Sequence, residues 1–134
     1  MLDRLFAMQR ELNDAIFEKH DLGVRSADFA RDDLDPAKRN EWVLNYTRAL
    51  QHEVVEAERT AAWKWWAKDK TLDLRALRVE VIDCWHFLIS LSIAAGMTPD
   101  DVLRIYEQKW KVNQERQAKG YAKATKTEDD GHIT

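Results

Sequence analysis

The sequence predicts an all-α fold, a bundle of four to five helices, on three observations. Only four Gly and two Pro punctuate 134 residues, while Ala, Leu, Glu, Lys and Arg are plentiful, a composition that favours long helices over many short strands. Apolar residues recur at helical spacing. Asp35-Pro36 and Thr98-Pro99 each read as an N-cap followed by a proline at the first helical position.

In order along the chain, Leu5, Met8, Leu12 and Ile16 share one face of a first helix over residues 3–20. Residues 24–35 are polar and irregular and read as a connecting loop. A second helix is expected from Pro36 to about Trp66, with Trp42, Tyr46, Leu50, Val54 and Ala57 inward. At least two of Trp63, Trp65 and Trp66 are expected in the core. A charged link over residues 68–73 precedes a third helix from Leu74 to Ala95, with Gly96 as its C′ residue. Thr98, Pro99 and Asp101 then open a fourth helix, which reaches Lys119 and ends at Gly120.

The third helix is apolar almost all round, from Val81 and Ile82 through Trp85 and Leu88 to Ile89 and Ile93. Such a helix is covered on every side, and a four-helix monomer of this size cannot readily enclose it. A homodimer is therefore expected, with Ile89 and Ile93 at or near its interface. Residues 1–121 are expected to form one domain, and residues 122–134 a polar tail, loose or lid-like. The formal charge of −3 gives no bulk drive toward nucleic acid or an anionic membrane. The longest apolar run, Val81 to Met97, is interrupted by Asp83, His86, Ser90 and Ser92 and is too short and polar to span a bilayer. With a single cysteine, Cys84, and no signal-peptide pattern at the start, a cytoplasmic location is expected.

Two carboxylate pairs stand out: Glu53-x-x-Glu56 on the second helix and Glu80-x-x-Asp83 on the third. Residues three apart lie on the same helix face, and both pairs are embedded in apolar sequence. Facing acids repel, by about 4 kcal/mol for unit charges ~4 Å apart at an effective dielectric near 20. Cations or protons must relieve that repulsion, and hard oxygen donors suit Mg²⁺ or Mn²⁺. The plainer alternative is four solvated surface acids. A di-iron bundle would need carboxylate-x-x-His on two helices, and only Asp83-x-x-His86 offers an imperfect half.

The pattern E-x-x-E followed by E-x-x-D resembles the all-α NTP pyrophosphatases, which include MazG-like enzymes and the dimeric dUTPases. Residues 49–56 with Trp63-Lys64-Trp65-Trp66 look like the metal helix and the F/W-K-x-W element of the dimeric dUTPases. Lys109, Asn113, Arg116, Gly120 and Tyr121 resemble that family's nucleotide-binding element, and Gln9, Leu12 and Asn13 its uracil-facing helix. The likeness runs from about residue 4 to 121 and is weakest over residues 22–40. Independently of it, Lys109, Asn113 and Arg116 recur at i, i+4 and i+7, an ammonium, an amide and a guanidinium in one stripe suited to phosphate and sugar oxygens.

The resemblance implies a Mg²⁺-dependent enzyme that converts dUTP to dUMP and pyrophosphate. Two or three ions would be held by Glu53, Glu56, Glu80 and Asp83, with Glu53 also orienting or deprotonating water. It implies substrate contacts from Gln9, Asn13, Lys64, Trp66, Lys109, Asn113, Arg116 and Tyr121, and a homodimer. A MazG-like housecleaning enzyme acting on dCTP or other NTPs could carry the same acids, and a non-enzymatic helical interaction module would need no metal.

Overall fold

Four α-helices and one short 3₁₀ helix make up the computed structural model, which describes residues 1–120 and 130–134, with no strand among them. The helices are α1 (Leu2–Lys19), α2 (Pro36–Thr60), α3 (Leu74–Ala94) and α4 (Pro99–Lys119), and the 3₁₀ helix is Ser26–Ala30. The chain divides into two units, Met1–Gly96 and Met97–Thr134.

In the first unit α3 packs mainly on α2 and also meets α1 and the 3₁₀ helix. Phe6 and Phe17 of α1, Phe29, Trp42 and Tyr46 of α2, and Ile89, Ile93 and Ala94 of α3 are buried. Phe17 sets its ring edge-on to Trp42 at 4.8 Å between centroids, and Trp42 lies 5.4 Å from Tyr46. Burial pushes the Tyr46 phenol above its ordinary range, and the charge of Asp14 adds to the shift.

The buried face of α1 is Phe6, Gln9, Asn13 and Phe17. The stripe of Leu5, Met8, Leu12 and Ile16 is exposed; it lies about one position round the helix. Residues 24–35 are not simply a loop. Ser26–Ala30 coils into a 3₁₀ helix that buries Phe29 to 1% exposure. Two carboxylates hold it there: Ser26 N donates to Asp14 Oδ1 at 2.6 Å, and Arg25 N donates to Asp28 Oδ2 at 2.7 Å.

Arg39 of α2 joins three segments. Its Nη1 donates to the carbonyls of Phe29 at 2.9 Å and Ala94 at 2.8 Å, and its Nη2 donates to that of Arg31 at 3.2 Å. The Ala94 carbonyl is one of the orphan acceptors at the end of α3. Gly96 follows at φ +79°, where a Cβ would stand 3.2 Å from the Phe29 carbonyl oxygen and 3.3 Å from Arg39 Nη1. Both the backbone angle and the space call for glycine.

Helix α2 begins as the sequence indicates, with Asp35 Oδ1 accepting from Ala37 N at 2.9 Å. It ends earlier than expected. Thr60 Oγ1 donates to the Ala57 carbonyl at 2.7 Å and Ala61 turns extended. Trp63, Trp65 and Trp66 therefore lie beyond the helix, exposed rather than in the core, and meet edge-on at 5.9 and 5.5 Å between centroids. Val54 is 52% exposed and not inward. On α3, Ile89 and Ile93 belong to the core of this unit, whereas Val81, Ile82, Trp85 and Leu88 are exposed; the outward face of α3 thus excludes both expected interface residues.

In the second unit α4 starts with a reciprocal cap. Thr98 Oγ1 accepts from Asp101 N at 3.1 Å, and the Asp101 carboxylate accepts from Thr98 N at 2.9 Å. The Thr98 backbone N–H, then the Arg104 guanidinium, hold the Asp101 carboxyl down to about 2. Among the described residues no single helix is long and apolar enough to cross a membrane.

Candidate functional site

Glu53 of α2 and Glu80 and Asp83 of α3 converge: one carboxylate oxygen from each lies within 4.8 Å of the others, all three half-buried. The convergence follows from α2 and α3 being the most closely packed helices, with each acid on the facing side. Partial burial, and then the charges of Glu56, Asp83 and Glu80, push the Glu53 carboxyl above the usual carboxylate range. Burial likewise raises the neighbouring Cys84 thiol, with help from Glu53, Asp83 and Glu80. A half-buried trio of hard oxygen donors, among them a Glu53 carboxyl pushed up by burial and by its neighbours' charges, fits a divalent cation of the Mg²⁺ or Mn²⁺ type.

Glu56, the fourth expected ligand, is not one of the three whose oxygens converge, although its charge leads those acting on Glu53. Glu56 is exposed and lines an open groove of about 520 Å³ with Arg59, Thr60, Thr71, Asp73 and Glu80. Arg59 thus supplies a cation beside the acids.

A second polar cluster joins α1 to α3. Gln9 Nε2 donates to Asn13 Oδ1 at 2.9 Å, and Asn13 Nδ2 donates to Ser90 Oγ at 3.2 Å. The Ser90 hydroxyl donates to the His86 carbonyl at 2.9 Å, and His86 Nδ1 meets Gln9 Oε1 at 2.6 Å. Gln9 and Asn13 are 5% and 4% exposed. They and His86 close a small ring of hydrogen bonds through Ser90. Ser90 was not among the expected site residues, nor was His86. The signal was present in the sequence as two polar i, i+4 pairs, Gln9/Asn13 and His86/Ser90, each within apolar surroundings. Gln9 and His86 also line a largely apolar groove of about 430 Å³ with Leu5, Met8, Leu12, Ile82 and Trp85.

Lys64 and Trp66 lie in the exposed segment after α2, and Lys64 Nζ sits 5.5 Å from the centre of the Trp63 ring rather than on another expected site residue. In the second unit, Lys109 and Arg116 share one anionic partner, the Asp130 carboxylate. The Lys109 ammonium and the Arg116 guanidinium hold that carboxyl below its usual range, the hydrogen bond from Lys109 leading. Arg116 is 8% exposed, and Asn113 is exposed on the same helix. This stripe therefore takes an anionic oxygen from the chain itself. Tyr121 lies outside the described residues.

The sequence model of a family described as dUTPase matches residues 1–99. Two curated proteins are similar to this chain, each called a dCTP pyrophosphatase. That of Enterobacteria phage T4 is 31% identical over 78 residues, covering 49% of this chain and 46% of the relative. That of Enterobacteria phage LZ5 is 33% identical over 78 residues, covering 49% of this chain and 45% of the relative. The matched stretch thus spans less than half the length of either relative. No solved structure matches the chain.

Proposed function

This chain belongs to the all-α dUTPase family, and from that premise we propose that it hydrolyses a pyrimidine deoxyribonucleoside triphosphate to the monophosphate and pyrophosphate. The observation that carries this reading is the carboxylate trio of Glu53, Glu80 and Asp83 across two helices. These three would hold Mg²⁺, with Glu56 beside them and Mn²⁺ as a substitute. When bound, a divalent ion supplies positive charge against the polyphosphate and lowers the pKa of water.

The chain's own residues supply the rest. Glu53, whose carboxyl is pushed up, is suited to take a proton from the attacking water. The new oxygen–phosphorus bond replaces a bridging one, and the leaving group is pyrophosphate. Little covalent work falls to the protein in phosphoryl transfer, so positioning and charge dominate. Lys109, Asn113 and Arg116 are suited to phosphate and sugar oxygens, and the pairing of Lys109 and Arg116 with Asp130 supports an affinity for anionic oxygen. Lys64, Trp66 and Tyr121 are assigned to the substrate on the family likeness. Gln9 and Asn13 offer amides that can read a pyrimidine edge.

The base assigned first is uracil, so the reaction is dUTP to dUMP. A dCTP reading stands beside it because both curated relatives carry that name. The exposed apolar side chains of α1 and α3, among them Leu12, Ile16, Val81 and Leu88, support a homodimer that covers them. The test is a panel of canonical deoxyribonucleoside and ribonucleoside triphosphates with Mg²⁺, assayed for monophosphate and pyrophosphate. Release of both products from dUTP or dCTP, abolished by EDTA, is expected. Absence of turnover on every nucleotide would leave a helical interaction module as the better reading.

A further inference from the structure

Uracil and cytosine differ at the edge an amide can read. Uracil presents an acceptor at O4 beside a donor at N3–H, while cytosine presents a donor at its exocyclic amino group beside an acceptor at N3. An amide that complements one must turn by 180° to complement the other. Whatever fixes the orientation of Gln9 and Asn13 therefore fixes the base.

The ring of hydrogen bonds between α1 and α3 admits two self-consistent directions. In the first, His86 Nδ1–H donates to Gln9 Oε1, Gln9 Nε2 donates to Asn13 Oδ1, and Asn13 Nδ2 donates to Ser90 Oγ, whose hydroxyl donates to the His86 carbonyl. In the second the two amides are turned over and the side-chain links reverse, while the Ser90 hydroxyl leaves the His86 carbonyl, which can only accept. With Asn13 turned over, its oxygen takes the place now held by Nδ2, 3.2 Å from Ser90 Oγ, and accepts from the Ser90 hydroxyl; Asn13 then donates to Gln9, and Gln9 to an unprotonated Nδ1. A mixed state would leave two donors or two acceptors face to face, and for side chains as buried as Gln9 and Asn13 each such mismatch is worth roughly a tenfold to hundredfold factor in an equilibrium. The two amides thus turn together, and the His86 ring, whose Nδ1 donates or accepts according to its tautomer, sets the direction.

His86 is also placed to report on a ligand. Its side chain is exposed, and it lines the α1–α3 groove with Gln9 and Trp85. It stands one helical turn beyond Asp83, hence six residues and roughly 9 Å along α3 from Glu80 at 1.5 Å per residue. A base at Gln9 and His86 would leave its phosphates toward the acids.

We propose that His86 is the residue that determines base specificity: its tautomer orients the linked amides of Gln9 and Asn13 and so selects between uracil and cytosine. It acts through the amides as a positioning residue. The inference rests on the pyrimidine reading of the site given above.

Two measurements test it. The first is the ratio of kcat/KM for dUTP and dCTP. Wild type should favour one of them by ~10-fold or more, and His86→Leu should bring the ratio to within threefold of unity. His86→Asn, which restores a polar partner for Gln9, should recover part of the preference. The rise in melting temperature on adding Mg²⁺ should be the same in all three. Ser90→Ala, which cuts the far end of the ring, should move the ratio in the same direction as His86→Leu and serves if the latter does not fold. The second is the ¹⁵N spectrum of His86 with non-hydrolysable α,β-imido dUTP and dCTP, in which the proton should sit on opposite ring nitrogens. A preference that survives both substitutions, one tautomer in both complexes, or a wild type that handles the two nucleotides equally overturns the proposal while leaving the pyrophosphatase reading intact. No turnover of either pyrimidine nucleotide overturns both.

Discussion

Glu53 and Asp83 sit on different helices, yet a carboxylate oxygen of one lies within 4.8 Å of a carboxylate oxygen of the other, with Glu80 equally close. Without a cation these charges repel. Mg²⁺ or Mn²⁺ should therefore raise the melting temperature and EDTA lower it, by a linkage of about 2.7 kcal/mol at a hundred times Kd. Calorimetry with and without the metal checks this, and an unchanged transition at millimolar Mg²⁺ would count against the site.

Partial burial of Glu53, with that repulsion added, has a pH signature. A carboxyl raised in the folded state binds more protons than in the unfolded chain, so metal-free stability should fall as pH rises from the ordinary glutamate value through Glu53's elevated one. Glu53→Gln should flatten that fall and raise the metal-free melting temperature. A steeper or unchanged pH slope in the variant would contradict it.

Glu80→Gln and Asp83→Asn should each lower turnover by ~10²-fold or more while leaving the far-ultraviolet circular dichroism unchanged. Glu56→Gln, which alters an acid outside the trio, should be milder than either. Steady-state kinetics at saturating Mg²⁺ ranks the three, and an equal loss in all would mean that Glu56 swings in to join the ligands.

Leu88→Asp and Val81→Asp should shift sedimentation toward monomer with helical content preserved, because both side chains are exposed. Ile89→Asp should unfold the chain instead, since Ile89 is 6% exposed and a buried unpaired charge is strongly destabilising. A monomeric wild type at micromolar concentration would remove the basis for the contrast.

At the start of α4, Asp101 is held at about 2 by the Thr98 backbone N–H and Arg104. A depressed carboxyl stabilises above its ordinary value and loses that contribution as pH falls toward the folded one. Carboxyl NMR should thus find Asp101 still ionised at pH 3, and Thr98→Ala should raise its pKa. An Asp101 that titrates near the ordinary value would show the cap to be open in solution.

Helix limits were legible wherever chemistry marks an end: Pro36 and Pro99 open helices, and Gly96 and Gly120 close them with positive φ. The end of α2 carried no Gly or Pro, so the periodic pattern ran on through Trp63–Trp66, where the chain has already left the helix. The inward face of α1 was harder still. Its exposed stripe of Leu5, Met8, Leu12 and Ile16 is more apolar than the buried face, on which two of four residues are amides. Those amides are buried because His86 and Ser90, 77 residues away, hydrogen-bond to them. No local pattern records a partner at that distance. The acids were legible because helical spacing alone aligns each pair. Which three converge was not, since that depends on how α2 is rotated against α3.

Arg39 binds carbonyls from three stretches of chain with one planar group. Removing it should cost about 2 kcal/mol or more, but the larger consequence concerns how the protein breathes. Segments that share a single donor cannot detach one at a time without stranding the others' acceptors, so the amides of Arg31, Ala95 and Gly96, each paired to a nearby carbonyl, should exchange with solvent through one common opening. Gly96→Ala, which presses on that same guanidinium, should speed all three rates by a similar factor, and adding it to Arg39→Ala should change little.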